Sequence, residues 1–319
     1  MTLAVGVDVG GTKIAAGVVE TTTGRIVTRL RRPTPTEDGD AVAQAVVDVI
    51  LELAHSNAVT AVGLGVPGFV SSDRTEIAFA PNLPLPTQPL LETVAAGTGL
   101  HTCLENDANA AAWGEYRFGA AVNYQNTLMV TVGTGIGGGL ILGGQLYRGA
   151  TGMAAEIGHM RLVPGGAACG CGQAGCWEMY GSGAVVTERA RHAVRKADPN
   201  ATILAELAGG SPDNVTGAMV TDSAKRGDQL ARNILNDAGR RLGEGLASLA
   251  AVLDPGIIVV GGGLVDAGSW LLGSLRQSLE AGLAGRGIRR PPRVAVASLQ
   301  EAGIVGAADL ATVIQHKRT

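Results

Sequence analysis

Short apolar runs broken by glycine open the chain: Leu3 to Val9, Lys13 to Glu20 and Arg25 to Leu30, separated by Gly10-Gly11-Thr12 and Thr23-Gly24. Runs of this length between glycine turns predict three strands in an antiparallel meander. The period then changes. Asp40 to Ser56 carries apolar residues at helical spacing and leads to a strand at Ala61 to Val66; a second helix near Thr87 to Ala96 leads to a strand at His101 to Leu104. The order then restarts, with strands at Asn126 to Val132, Ile136 to Leu142 and Gln145 to Tyr147. A helix-rich stretch follows, clearest at Leu235, Leu242, Leu246, Leu249 and Leu253, and feeds a buried strand at Ile257 to Val260. Two glycine-turn hairpins of one design predict two α/β domains of one topology. Ala302 to Gln315 reads as a helix that the pattern assigns to neither domain, and Pro81 to Pro89 reads as a loop.

Length supports the same division, because 319 residues exceed what one core usually organises. With 25 basic against 28 acidic residues there is no large cationic surface, and 3% aromatics leave little to stack on bases, so nucleic-acid binding is not expected. The pairs Arg31-Arg32 and Arg289-Arg290 read as solvated faces. No run of about 18 apolar residues predicts a membrane span, and the first residues lack the basic start of a secretory signal. A cytoplasmic setting is expected, in which clustered cysteines point to metal rather than disulfides.

Candidate chemistry begins at the glycine turns. Asp8-Val9-Gly10-Gly11-Thr12-Lys13 sits between two strands, where backbone N–H groups can converge on an anion, Thr12 adds a hydroxyl, and Asp8 is placed to orient magnesium. Gly133-Thr134-Gly135-Ile136-Gly137-Gly138-Gly139 offers the same device from the second domain. Gly261-Gly262-Gly263 follows a buried strand and is expected to open a helix. Taken singly, each loop has a tight hairpin turn as the commoner reading; together they are less easily so explained. A dinucleotide fingerprint is rejected because a strand, Leu140-Ile141-Leu142, follows the glycines; a Walker loop is excluded because no Gly-Lys pair occurs.

Asn106 and Asp107 follow a strand end and start a helix. Asp107 is the candidate general base for phosphoryl transfer to a hydroxyl, while helix capping is the plainer use of such a dipeptide. His159, Cys169, Cys171 and Cys176 form a Cys₃His set suited to a closed, structural zinc site. Glu156 and Glu178 bracket it as acceptors for sugar hydroxyls, and Asn82 offers an amide to the same pocket. Cys103 reads as core.

On Asp8 to Lys13, Leu104 to Ala110, Gly133 to Gly139 and Glu156 to Glu178, the chain resembles the repressor, open-reading-frame and kinase family of bacterial sugar kinases over nearly its whole length. The resemblance implies a two-lobed, actin-like and ribonuclease-H-like α/β fold. In that fold 1–109 with 303–319 would form the small lobe and 110–302 the large one. It implies ATP-dependent phosphorylation of glucose on its 6-hydroxyl, with Asp107 as base. Asn82, Asn106, Glu156, His159 and Glu178 would contact the sugar, His159 also binding zinc through its other nitrogen. ATP with magnesium would lie against Asp8, Gly10, Gly11, Thr12, Lys13, Thr134, Gly135, Gly137, Gly138, Gly262 and Gly263. Members are commonly homodimers or homotetramers. Kinases for mannose, fructose or an N-acylmannosamine, and phosphate donors other than ATP, stay open on the sequence. A sugar-responsive repressor is set aside, because the first phosphate loop at residue 8 leaves no room for a helix-turn-helix ahead of it.

Overall fold

The computed structural model describes residues 2–36, 38–80 and 83–318. In chain order the elements are β1 (Leu3–Val9), β2 (Lys13–Glu20), β3 (Arg25–Pro33), α1 (Gly39–His55), β4 (Val59–Val66), β5 (Phe69–Val70), β6 (Ile77–Phe79), α2 (Leu90–Thr98), β7 (His101–Asn106) and α3 (Asp107–Phe118). There follow β8 (Thr127–Val132), β9 (Ile136–Leu142), β10 (Gln145–Tyr147), α4 (Glu178–Gly181), α5 (Gly183–Arg195), α6 (Thr202–Leu207), α7 (Gly217–Arg226), α8 (Gln229–Leu253), β11 (Ile257–Gly261), α9 (Ser269–Gly282), β12 (Arg293–Val296) and α10 (Ala302–Arg318).

One sheet runs β3-β2-β1-β4-β7 and another β10-β9-β8-β11-β12, so the expected repetition of topology is present strand for strand. In the first sheet β2 is antiparallel to both β1 and β3, whereas β1, β4 and β7 run parallel. Strands β1 and β4 read as continuous apolar runs because both faces are covered. Val5, Val7, Val62 and Leu64 pack with α1, while Ala4 and Ala61 pack with α10.

Small residues let α10 lie directly on this sheet. A Cβ built on Gly6 would stand 1.9 Å from the Ile304 carbonyl oxygen, and one on Gly63 only 1.8 Å from that of Ala307. On its other side Gly306 meets α3, where a Cβ would lie 1.8 Å from the Ala110 oxygen. Two polar ties fix the packing. The Trp113 indole donates to Asp309 at 2.7 Å, and the fully buried Glu115 carboxylate accepts from the Ser298 and Leu299 amides at 2.9 and 2.8 Å. These interactions pin the segment entering α10, which answers the question the periodicity left open.

The chain divides into two compact units, 1–129 with 138–155 and 297–319, and 130–137 with 156–296. A boundary at residue 109 would fall inside α3, whose packing against α10 keeps it in the first unit. The helix expected at Gly261-Gly262-Gly263 is a 3-10 turn, Gly263–Ala267, with α9 beginning at Ser269. Gly262 has φ +89°, and a Cβ there would meet the Val132 oxygen at 2.4 Å, so the glycines serve a close approach before any helix starts. Arg31 and Arg32 are not merely solvated; they reach Glu301 at 2.7 Å and Glu52 at 2.8 Å.

Candidate active site

In the first unit the parallel register aligns Asp8, Gly65 and Glu105 across β1, β4 and β7, all on the face that α10 covers. At a spacing of about 4.8 Å per strand, the outer two stand about 10 Å apart, with a glycine between them. Asp107 follows two residues after Glu105 as the first residue of α3, and its Cα comes within 3.7 Å of a Cβ built on Gly65. Gly303 of α10 completes the enclosure, since a Cβ there would sit 3.9 Å from the Asp8 carboxyl and 4.0 Å from the Asp107 carbonyl. Asp8, Glu105 and Asp107 are thus brought to the carboxyl ends of parallel strands, the edge of an α/β sheet where ligands bind.

The capping question divides between the two neighbours. Asn106 is the N-cap: its Oδ1 accepts from the Asn109 amide at 3.0 Å and its Nδ2 donates to the Gly68 carbonyl at 3.1 Å. Asp107 is half-buried, and its Oδ1 accepts from the Ala108 amide at 2.8 Å. It lies in the first turn of α3, where the helix dipole favours negative charge. The turn is anchored from behind, because buried Glu105 accepts from the Asn106 amide and from Asn109 Nδ2, each at 3.1 Å, and pairs with Arg148 at 2.6 Å. Burial pushes the Asp8 carboxyl above its usual range; Lys13 pulls it back and Glu301 pushes it further. A buried carboxylate with so little compensating charge is the electrostatic complement of a cation.

The first glycine loop is a closed turn, with the Gly10 amide donating to Lys13 at 2.9 Å and Thr34 donating to the Thr12 and Gly10 carbonyls at 3.1 and 2.6 Å. That commits the Gly10 N–H, leaving the Gly11 and Thr12 amides and the exposed Thr12 hydroxyl as the anion donors of this loop. In the second unit Gly133 donates to the Gly135 carbonyl at 3.0 Å, and the start of α5 receives the loop through Gly183 and Ala184, which donate to Gly133 and Thr134 at 2.8 and 3.2 Å. Beside this loop a cavity of about 850 Å³ lies entirely within the second unit, bounded by α5, α7, Thr134 and Gly263. Sequence reading found its glycine end and missed its helical walls, whose signal is a pair of Thr-to-basic repeats at one-turn spacing, Thr187 with Arg191 and Thr221 with Lys225.

The metal candidates converge. One ligand atom each of His159, Cys169, Cys171 and Cys176 lies within 4.8 Å of the others. Cys171 Sγ stands 3.6 Å from Cys176 Sγ, and Cys169 Sγ 3.7 Å from His159 Nδ1. A tetrahedral zinc with bonds of about 2.3 Å to sulfur and about 2.0 Å to nitrogen requires separations of roughly 3.5–3.8 Å, so the donor set fits. Burial pushes the Cys169 thiol up to about 12, whereas the Gln173 backbone amide lowers Cys171. The loop is held by backbone hydrogen bonds in which the Leu162 and Cys169 amides donate to the Gly175 and Gln173 carbonyls, and by buried Trp177, whose indole donates to the Arg241 carbonyl at 2.8 Å. Trp177 lies on Gly245, where a Cβ would reach its ring at 2.3 Å.

Both bracketing glutamates are present in the second unit. Glu178 accepts from Cys169 at 3.1 Å and lies 3.5 Å from His159 Nδ1, with its other oxygen turned towards Gly135. Glu156 is exposed; partial desolvation still raises its carboxyl, which His159 lowers and Glu178 raises. Asn82 lies outside the described residues.

The ROK family model matches residues 4–314. A glucokinase of Streptomyces coelicolor is 43% identical over 312 residues, 98% of each chain. An N-acetylmannosamine kinase of Yersinia pseudotuberculosis is 33% identical over 94% of this chain and 95% of its own length. The crystal structure of a ROK family glucokinase from Streptomyces griseus in complex with glucose and AMPPNP superposes with a TM-score of 0.89 at 42% identity, covering 98% of this chain and 99% of that one. The paired five-stranded sheets are therefore those of the two-lobed actin-like, ribonuclease-H-like fold. With the glycine loops, the strand-end acids and the Cys₃His cluster all in place, the chain belongs to the ROK family, that of the repressor, open-reading-frame and kinase proteins.

Proposed function

We propose that the protein transfers the γ-phosphoryl group of ATP to the 6-hydroxyl of glucose, with Asp107 taking the hydroxyl proton. The observation that carries this reading is the β7–α3 turn: Asn106 is the N-cap, accepting from the Asn109 amide, and Asp107 stands next to it in the first turn of α3, half-buried beside the Asp8 strand end. Phosphoryl transfer asks for little more than a positioned base and stabilisation of phosphate charge. The Streptomyces relatives, named for glucose phosphorylation and in one case complexed with glucose and AMPPNP, supply the substrate pair.

In this reading Asp8 orients magnesium, which neutralises charge on the transferring phosphate. The Gly10 to Lys13 turn, through its Gly11 and Thr12 N–H groups, receives the nucleotide together with the backbone of Thr134 to Gly138 and Gly262 to Gly263. Asn82, Asn106, Glu156, His159 and Glu178 address the sugar hydroxyls. His159 faces the cysteines through Nδ1, which leaves Nε2 for the sugar. Zinc held by His159, Cys169, Cys171 and Cys176 stiffens the loop that carries these groups and has no step in the reaction. A homodimer or homotetramer is the expected assembly.

A second reading, phosphorylation of an N-acylated mannosamine, draws on the 33% identity to the Yersinia kinase. A coupled ADP-release assay over glucose, mannose, fructose and N-acetylmannosamine, with and without magnesium, separates the two. Glucose should give the largest kcat/KM. Preferential turnover of N-acetylmannosamine would replace the first reading with the second, and no magnesium-dependent ADP release with any hexose would end both.

A further inference from the structure

Glu105 stands two residues ahead of the proposed base, and its acceptor capacity is spent behind the β7–α3 turn. Oε2 takes Nε and Nη2 of Arg148 at 2.7 and 2.6 Å, while Oε1 takes the Asn106 amide and Asn109 Nδ2, each at 3.1 Å. These donors fill the roughly four lone-pair sites of a carboxylate, which fixes its plane as well as its position. Asn109 is 2% exposed and its Oδ1 has no hydrogen-bond partner, so the amide bears an unmet acceptor while its other end serves Glu105. Arg148 is held in its turn. The Ala154 amide donates to its carbonyl at 3.1 Å, and the loop so closed is seated at Gly152, where a Cβ would stand 2.4 Å from the Val70 oxygen. A buried ion pair and an orphaned acceptor are poor sources of stability, because apolar side chains of similar volume often serve as well. What this arrangement supplies is geometry.

We infer that Arg148 is a positioning residue for the base: acting through Glu105, it sets the orientation of the turn from Asn106 to Asn109 and hence the direction in which the Asp107 carboxylate meets the hydroxyl. The inference rests on the kinase reading above, in which Asp107 takes the proton. Asp107 lies between the two residues that Glu105 holds, so any displacement of the Glu105 carboxylate is passed on through a single helical turn. The guanidinium is suited to the task because its donors lie in one rigid plane, whereas an ammonium is a point charge on a flexible stem. With its side chain 24% exposed against 3% for Glu105, Arg148 also closes the pair off from water, which keeps one geometry favoured.

The test uses the intact enzyme, its Arg148→Lys and Arg148→Met variants, and the double variant Glu105→Met with Arg148→Met; the readouts are kcat, KM for ATP, and Tm. Arg148→Lys keeps the charge and loses the planar fork, so kcat should fall about 3- to 10-fold while Tm stays within about 2 °C of wild type. Arg148→Met strands a buried carboxylate and should lower kcat about tenfold or more and Tm with it. The double variant replaces the pair by an apolar contact, so its Tm should rise above that of Arg148→Met while kcat stays about tenfold or more below wild type. The ATP KM should stay within about twofold throughout, because the pair touches the turn of the base and not the glycine loops. A double variant that recovers turnover along with Tm would overturn the proposal, since the pair would then be merely structural. So would Arg148→Lys with wild-type kcat, a comparison that decides the matter alone if Arg148→Met fails to fold. Asp107→Asn, assayed beside them, separates the two readings: wild-type turnover there would remove the base itself and this inference with it, whereas loss of turnover there with full activity in Arg148→Lys would remove this inference only.

Discussion

Gly63→Ala inserts one methyl group where the fold has no room for it, 1.8 Å from the Ala307 carbonyl oxygen and 2.3 Å from its carbon. A carbon–oxygen contact settles at about 3.3 Å, so α10 must retreat by about 1.5 Å or β4 must buckle by as much. The atoms met are backbone, and no rotamer change relieves them. Overpacking of this kind costs about 1–3 kcal/mol, which for a unit of this size lowers Tm by roughly 2–12 °C. The same displacement reaches the site, because Gly303 of α10 lies against both the Asp8 carboxyl and the Asp107 backbone. A misplacement of about 1 Å near the chemistry can cost about 100-fold in rate, so kcat at 25 °C, well below the melt, should fall at least tenfold. Circular dichroism melts and the coupled assay read the two effects. Thr60→Ala, exposed on the same strand, serves as the control and should stay within about 2 °C of wild type. A Gly63→Ala protein with wild-type Tm and kcat would refute the close helix-to-sheet packing and its link to the acids.

Other outcomes follow from the electrostatics and the cluster. Burial raises the Asp8 pKa in the folded state, so its ionised form opposes folding: the associated stability is present below the unfolded carboxylate value and is lost as pH rises through the folded one. Asp8→Asn should therefore raise the Tm of the ligand-free protein at pH 7, with a smaller gain at pH 4, while abolishing magnesium-dependent turnover; a lower Tm at pH 7 would contradict this. Cys171→Ser should lower bound zinc, measured by elemental analysis, and reduce Tm; full zinc content in the variant would count against the four-ligand site. Burial also pushes the Cys103 thiol up to about 12, so native alkylation at pH 8 followed by mass spectrometry should leave it unlabelled even after chelation, when exposed Cys171 is modified first.

What the sequence made legible was local. Glycine turns between apolar runs announced both hairpins, and the two matching sheet orders bear out the repetition inferred from them. The Cys₃His spacing also announced its cluster, since 18 positions of loop are short enough for composition to imply proximity. Features made by contacts between distant segments stayed hidden. The attachment of α10 depends on Gly6 and Gly63 fitting carbonyls some 240–300 residues away, and nothing near Glu115 in the sequence signals that the Ser298 and Leu299 amides meet its carboxylate. The Asn106-Asp107 dipeptide was ambiguous for another reason: either residue type can cap a helix, and only the register of α3 shows that Asn106 does so. Thr221 and Lys225 carried a spacing signal too weak to notice, because i,i+4 pairs of that kind are ordinary on any exposed helix.

Replacement of a single carboxylate oxygen bears most directly on the proposed chemistry. With Asp107→Asn, glucose affinity measured by calorimetry should remain near that of the wild type, while kcat in the ADP-release assay should drop by about 100-fold or more. Turnover that survives the substitution at the wild-type rate would contradict the assignment of Asp107 as the base.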